Sequence, residues 1–413
     1  MRLSDVEAAF KLNLFYYEDE DKSFLFVSFV CIVFSHSDVC ATVDWTTNMC
    51  GTSGTITISD NVNFKCMQVI PDGVTVTING ATNTDGTPKY AFWNKLYLDS
   101  ESTTSTAAWC MFDIKPGGKL IINNMDVNGN AHHTYNSEFD FAGTNRDFRI
   151  TVESGWEDNR DYRPLPYGAF HNSGHLELHN CTVHDVVSKT YYVDADDAVN
   201  KERRNAWFAN GAITITSNAL GTVSNKDVPS NGKSLYTKLK DCKFYENIFY
   251  SGSVIYTRQL DTGAGAKNEI DIENCEIYNN VQRECNSLEG SRWGGIIRTQ
   301  ANSKAKITMK NTIVRDNYAN GECSGVFFNA ESISFDGCTI SGNRTEYYGG
   351  GLRIESNCTF IGSPTKITNN WAKFYGGGVH FYGYSASDYT ERVDWIYDIN
   401  SNMIVTDLSL IHI

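Results

Sequence analysis

Proline is scarce in this chain, 7 residues in 413 against 33 glycines. Each proline in a strand removes a ladder donor, so this balance suits many strands joined by tight glycine turns. Basic charge is also in deficit: 35 Lys and Arg stand against 49 Asp and Glu, a net charge of -14. Wrapping a polyanion needs clustered cations, so nucleic acid is excluded as the expected partner. No apolar run is long enough to span a bilayer as a helix, and no 3.6-residue period is visible, which sets aside helical repeats. A hydrophobic share of 41% is enough for a large core and excludes a disordered chain.

The longest apolar stretch, Phe24 to Phe34, follows Lys22 and precedes Ser35, Ser37, Cys40 and Ala41. It reads as the apolar segment of a secretory signal with small residues at the cleavage zone. Glu18-Asp19-Glu20-Asp21 upstream is the wrong charge for such a leader, so residues 1–41 are a signal peptide or a non-native extension. A buried strand or short core helix is the alternative for the same stretch. Secretion, or display at the cell surface, puts the cysteines where disulfides are allowed.

Internal repetition sets the architecture. A small or apolar residue, an aliphatic or aromatic one two positions on, and an Asn three further recur as Met125-Val127-Asn130, Cys242-Phe244-Asn247, Cys275-Ile277-Asn280, Cys338-Ile340-Asn343 and Thr365-Ile367-Asn370. Asn311-Ile313-Asn317 is one residue out of step, and Cys181-Val183 lacks the Asn. Between them runs a second phrase: Gly168-Ala169-Phe170, Gly211-Ala212-Ile213, Gly252-Ser253-Val254, Gly294-Gly295-Ile296, Gly350-Gly351-Leu352 and Gly377-Gly378-Val379. Ile313 to Ile340 and Ile340 to Ile367 are both 27 residues, while Ile277 to Ile313 is 36. A constant rung with loops of variable length is what a solenoid produces.

Apolar and polar residues alternate in Lys306-Ile307-Thr308-Met309, Ser332-Ile333-Ser334-Phe335 and Glu269-Ile270-Asp271-Ile272, so these are strands with one buried face. The fold expected is all-β, a parallel β-helix in which each strand pairs with its equivalent one coil on, about 4.8 Å away. The recurrent Asn130, Asn247, Asn280, Asn343 and Asn370 are expected to stack as a structural ladder at a bend, with their own backbones in left-handed conformation.

The paired phrases SGN, TNN and YNN beside GGGL, GGGV and WGGI resemble the repeats of the polymorphic outer membrane protein family, over about residues 116–383. That family carries GGA(I/L/V) and FxxN motifs, and the resemblance implies a pectin-lyase-like right-handed single-stranded parallel β-helix. Thr55-Ile56-Thr57-Ile58 and Ile70 to Ile78 resemble the first coils of such helices. Only Phe244 supplies the family's Phe, and no stretch reads as a C-terminal autotransporter barrel. The organisation expected is first coils and cap over 42–115, the β-helix over 116–383 with loop insertions at about 131–167 and 184–207, and an end over 384–413 that is incomplete or non-native.

Candidate chemistry is sparse. Asn83-Thr84-Asp85-Gly86 resembles one polygalacturonase motif, but the partner motifs that would complete a carboxylate pair are missing, and a glycine turn explains it. His175, Glu177 and His179 share the outer face of one strand, a trio able to hold a divalent metal; otherwise they are a solvated strand face. Asp194, Asp196 and Asp197 lack the spacing of a calcium loop. Cys242 and Cys275 occupy one rung position on adjacent coils and are either a disulfide or stacked free thiols. Asn180, Asn343 and Asn357 head glycosylation sequons, Asn343 in competition with its ladder role. No catalytic residue and no cofactor other than that metal is expected. The function expected is a secreted or cell-surface adhesin or binding scaffold for an extracellular glycan or surface protein; the alternative is a polysaccharide lyase or glycoside hydrolase of the same fold.

Overall fold

The computed structural model describes residues 13–19, 22–28, 42–96, 110–130, 133–134, 151–152, 168–188, 211–216, 233–249, 253–257, 267–282, 295–299, 305–319, 325–328, 330–374, 376–381, 397–398 and 402–406. The chain divides into two compact units, Met1–Ala41 and Thr42–Ile413. In the first, Asn13–Asp19 pairs antiparallel with Lys22–Ser28, so the start of the apolar stretch lies in a hairpin strand. Its remainder, from residue 29 on, lies outside the described residues, as do Asp194, Asp196, Asp197 and most of the two expected insertions. Of the first insertion, a short antiparallel pair, His133–Thr134 with Thr151–Val152, is described.

Among the described residues the second unit has, besides that short pair, four parallel sheets, and it contains strands and turns but no helix. Sheet A has ten strands, from Gly54–Thr57 to Tyr397–Asp398; sheet B has eleven, from Thr42–Trp45 to Met403–Thr406. Sheet C has nine, from Gln68–Ile70 to Val379–Phe381, and sheet D has six, from Val187–Ser188 to Trp371–Ala372. The chain visits them in rotation. Leu235–Lys240 lies in A, Lys243–Tyr245 in B, Ile248–Phe249 in D and Ile255–Thr257 in C; Asn268–Glu273 then returns to A beside Leu235–Lys240, parallel and in register. Tyr397–Asp398 and Met403–Thr406 join sheets A and B beyond the boundary expected at 383.

Alternation explains the strands. In sheet A the inward residues, Leu176 and Leu178, Ile270 and Ile272, Ile307 and Met309, Ile333 and Phe335, are buried, and the residues between them face outward. Each such side chain contributes roughly 1.5–3 kcal/mol when removed from water.

Corners are set by left-handed residues in columns. Asn124, Asn180, Asp241, Asn274, Asn311, Gly337 and Gly362 turn the chain from sheet A to sheet B, with φ between 47° and 64°. A second column, Asp185, Glu246, Asn279, Asp316, Gly342 and Asn369, turns it out of sheet B at φ 53° to 65°. Asn, Asp and Gly tolerate this region best, which explains their recurrence. The left-handed residue therefore precedes the ladder asparagine, Asn279 rather than Asn280; of the five expected ladder residues only Asn130, at φ 58°, is itself left-handed.

Register also corrects the expected phrase. Val314, not Ile313, pairs with Ile277 and Ile340, so the true repeat there is Thr312-Val314-Asn317 and it is in step. Ile313 is 38% exposed. Likewise Ile255 and Ile297, not Val254 and Ile296, share the column of Phe170 and Ile213. At the glycine phrase successive levels touch through backbone: a Cβ on Gly325 would lie 2.0 Å from the Gly351 carbonyl oxygen.

Candidate binding face

The interior of the stack spends its polar groups on itself. Asn280 donates from its backbone and side-chain nitrogens to Asn317 Oδ1, both at 3.0 Å. Asn317 does the same to Asn343 at 3.2 and 2.9 Å, and Asn343 to Asn370 at 2.9 and 3.0 Å. Asn247 starts the column on Asn280, and every member also donates to a carbonyl of the level before, as Asn317 does to Ile277. All five side chains are buried. Asn317, which the out-of-step phrase obscured, is its centre. Asn130 stands apart, donating to the Asn94 carbonyl at 3.0 Å, because Val186 occupies the column position of the intervening level.

A second internal column holds Cys181, Cys242, Cys275, Thr312, Cys338 and Thr365. Cys242 and Cys275 are free thiols in the structure, not a disulfide. In-register parallel side chains keep the separation of their strands, about 4.8 Å, which is wider than the 3.5–4.5 Å between the β-carbons of a bridged pair. The thiols instead donate to carbonyls, Cys242 to Lys240 at 3.2 Å and to Leu178 at 3.4 Å, as the Thr312 hydroxyl does to Lys310 at 2.9 Å. Burial pushes the Cys242 and Cys338 thiols up, the latter to about 11. That is far from a reactive thiolate.

The three sequon asparagines differ. Asn343 is buried and its side-chain nitrogen donates to both Val314 and Asn370, so a glycan there and the ladder exclude each other. Asn180 is a left-handed corner whose side chain donates to Gly86 and Asn124, and Asn357 donates to Glu331. Asp85 is the acceptor of the turn expected at Asn83 to Gly86, taking the Thr87 amide at 3.0 Å and its hydroxyl at 2.6 Å.

The outer face of sheet A carries the expected trio. Glu177 stands between His175, whose Nε2 lies 2.7 Å from Oε1, and His179, whose Nε2 lies 3.0 Å from Oε2. Lys119, one level earlier, donates to the same Oε1 at 2.8 Å. Burial opposes ionisation of Glu177, but hydrogen bonds from Lys119, His179 and His175 outweigh it and hold the carboxyl at about 2. Burial lowers His175, and its bond to Glu177 offsets part of that. The trio is thus a carboxylate filled by three donors, one an ammonium where a cation would sit. Among the described residues no group of three His, Cys, Asp or Glu is arranged to hold a metal ion.

Around that cluster the face is striped. Strand by strand along sheet A the outward charges are Lys119; Glu177; Lys238 and Lys240; Glu269, Asp271 and Glu273; Lys306 and Lys310; then Asp336. The sign alternates because in-register parallel strands put equivalent side chains side by side, where like charges repel. Lys310 reaches Glu273 only at 3.8 Å, and Asp271 takes the Tyr236 hydroxyl at 2.8 Å.

Sheet C presents a face of another kind, which the phrase pattern did not reveal. Its middle residues point away from the core yet are buried: Asp113, His171, Thr214, Tyr256, Arg298 and Arg353. His171 Nδ1 lies 2.8 Å from Asp113 Oδ1, and Lys115 Nζ lies 2.5 Å from Oδ2. Burial opposes the Asp113 charge, but His171 and Lys115 hold its carboxyl below the usual range. Arg353 donates to Glu355 at 2.6 Å. The only sequence signal is the polar residue that follows each glycine phrase by one or two positions.

Compared with protein-family models, with curated proteins and with solved structures, the chain matches none. Among the described residues no helix is long and apolar enough to cross a membrane.

Proposed function

We propose that residues 42–406 form a right-handed, single-stranded parallel β-helix of the pectin-lyase-like kind, resembling polymorphic outer membrane protein repeats. In this reading the protein is secreted or displayed at a cell surface and acts there as an adhesin or binding scaffold for an extracellular glycan or a surface protein. The observation that carries it is the outer face of sheet A. Rows of polar and charged side chains stand in register on it, while the asparagine and cysteine columns hold the interior together. A rigid support with a broad polar face suits recognition of an extended partner.

The test is binding of the full chain to arrays of extracellular glycans and to intact cells, with parallel incubation on pectin and alginate. Binding without new reducing or unsaturated ends is the expected result. New ends would replace the scaffold with a lyase or hydrolase, and absence of any binding would remove the adhesin reading. For location, the expressed protein should be removed from intact cells by external protease or recovered from the medium; retention inside the cell would overturn that part.

A further inference from the structure

The stripes on sheet A also have a partner that matches them. Among the described residues neither Lys238 nor Lys240 is in an ion pair, although the next strand carries Glu269, Asp271 and Glu273. The face therefore holds a cationic band and an anionic band, adjacent and incompletely satisfied. Lys306 and Lys310 are exposed, 57% and 48% by side chain, and Glu269 and Glu273 half-buried, 43% and 34%.

We propose that sheet A is a self-association surface, whose partner is a second copy of this chain packed face to face with its stack running in the opposite direction. This rests on the reading of that face as a binding surface. The two-fold axis lies parallel to the strands, between Leu235–Lys240 and Asn268–Glu273. It sets Lys238 and Lys240 against Glu269, Asp271 and Glu273 of the second copy, Lys306 and Lys310 against its Glu177, and Asp336 against its Lys119. Every band then meets the opposite sign. Copies running in the same direction would put each band against itself, so charge alone selects the antiparallel arrangement. Six strands at ~4.8 Å and about five residues at ~3.3 Å cover roughly 500 Å² per copy, or about 1,000 Å² in all. That is the low end for a specific contact, so the dimer is weak and salt-sensitive.

Sedimentation of the full chain at tens of micromolar decides the matter. A dimer is expected at about 0.05 M salt and a monomer at about 1 M, where the screening length falls to ~3 Å. Lys238→Glu with Lys240→Glu should weaken self-association by about a hundredfold, as should Glu269→Lys with Glu273→Lys. An equimolar mixture of the two should dimerise again, because both central contacts become opposite in sign. A wild-type monomer at low salt, a dimer indifferent to salt, or reversed variants that associate like the wild type would each overturn the proposal. Should a variant fold poorly by circular dichroism, zero-length cross-linking of mixed isotope-labelled and unlabelled wild-type chains gives the answer. Inter-copy links from Lys238 or Lys240 to Asp271 or Glu273 support the dimer, and their absence under low-salt conditions refutes it. Loss of self-association with glycan or cell binding intact removes this inference alone; loss of that binding with the dimer intact removes only the function proposed above.

Discussion

Between Trp45 and Phe170 a run of packed aromatic rings threads the interior, whereas from Asn247 to Asn370 the interior is mainly aliphatic, with Phe249 and the stacked pair Phe335 and Phe360 among it, and an amide column runs along one edge. In the first region Phe64 sits 5.2 Å from Trp45, 5.0 Å from Phe92 and 5.0 Å from Phe112, and Phe112 stacks on Phe170 at 5.3 Å. Ring packing depends on shape and area and tolerates a small slip. In the second region each asparagine fills one acceptor of the next level, so a slip of one residue strands several buried donors. One stack thus uses bulk where its levels are irregular and directional bonds where they repeat.

The comparison breaks most sharply at Asn317. Asn317→Ala removes the acceptor of the Asn280 backbone N–H and one of the acceptors of its side-chain nitrogen, a donor to the Ile277 carbonyl and a donor to Asn343 Oδ1, all in a buried site. At about 1–3 kcal/mol for each orphaned group and with some relaxation, a loss of about 4 kcal/mol is expected in urea unfolding. A loss under about 1 kcal/mol would mean that the aliphatic rungs, not the column, hold these levels. Phe64→Ala comes next, at about 3 kcal/mol, from the cavity it leaves among three rings. Its effect should also be local. Hydrogen exchange should accelerate around residues 42–112 and not around 277–343, because stacked repeats communicate through neighbours.

The level between the two regions has neither device, and its corner is held by charge. His184 Nε2 lies 3.0 Å from Asp126 and Nδ1 lies 2.7 Å from Asp185, while its ring stacks on Tyr245 at 4.8 Å. Burial works against the imidazolium, but the two carboxylates outweigh it and raise the group from its ordinary 6.5 to about 9. A raised folded value stabilises fully below pH 6.5, and the contribution is lost as pH climbs through 9. Stability should therefore fall by something on the order of 2 kcal/mol across that window, and His184→Gln should flatten the profile there. An unchanged slope in the variant would assign the pH dependence to other groups.

How far sequence could see into this molecule depended on what each signal reports. The repeat of Cys275-Ile277-Asn280 is periodic and local, so strands, levels and the inward Asn were legible. Thr312-Val314-Asn317 was misread because exposed Ile313 is as apolar as the buried Val314 beside it, and only pairing separates them. The cysteines left a disulfide and stacked free thiols both open, because spacing shows adjacency but not that each thiol donates to a carbonyl, a role Thr312 fills equally well. The His175, Glu177, His179 face followed from alternation, but Lys119 lies 58 positions from Glu177 and meets it only through strand pairing. The pairing of Asp113 with His171 was not legible, although His171 follows a glycine phrase directly, since an outward-facing position normally means exposure and here it means burial.

The finest test of the comparison is an attempt to carry the column across its boundary. Val186 occupies the column position one level below Asn247, is fully buried, and already donates its backbone N–H to Asn247 Oδ1 at 3.0 Å. Val186→Asn would add a side-chain donor toward the same oxygen and a second toward the Val127 carbonyl, as Asn247 donates to Val183. The new amide oxygen, however, would look toward Asn130, whose N–H is already taken by Asn128 at 2.6 Å. One satisfied donor pair set against one poorly satisfied acceptor leaves a net change of less than about 1 kcal/mol, of stabilising sign if Asn130 releases its local bond. A gain in the urea midpoint with slower exchange at Asn247 would show that the column is modular and that the seam is a single substitution wide. A loss above about 2 kcal/mol would show that the aromatic levels below hold the backbone in a spacing the amide column does not accept.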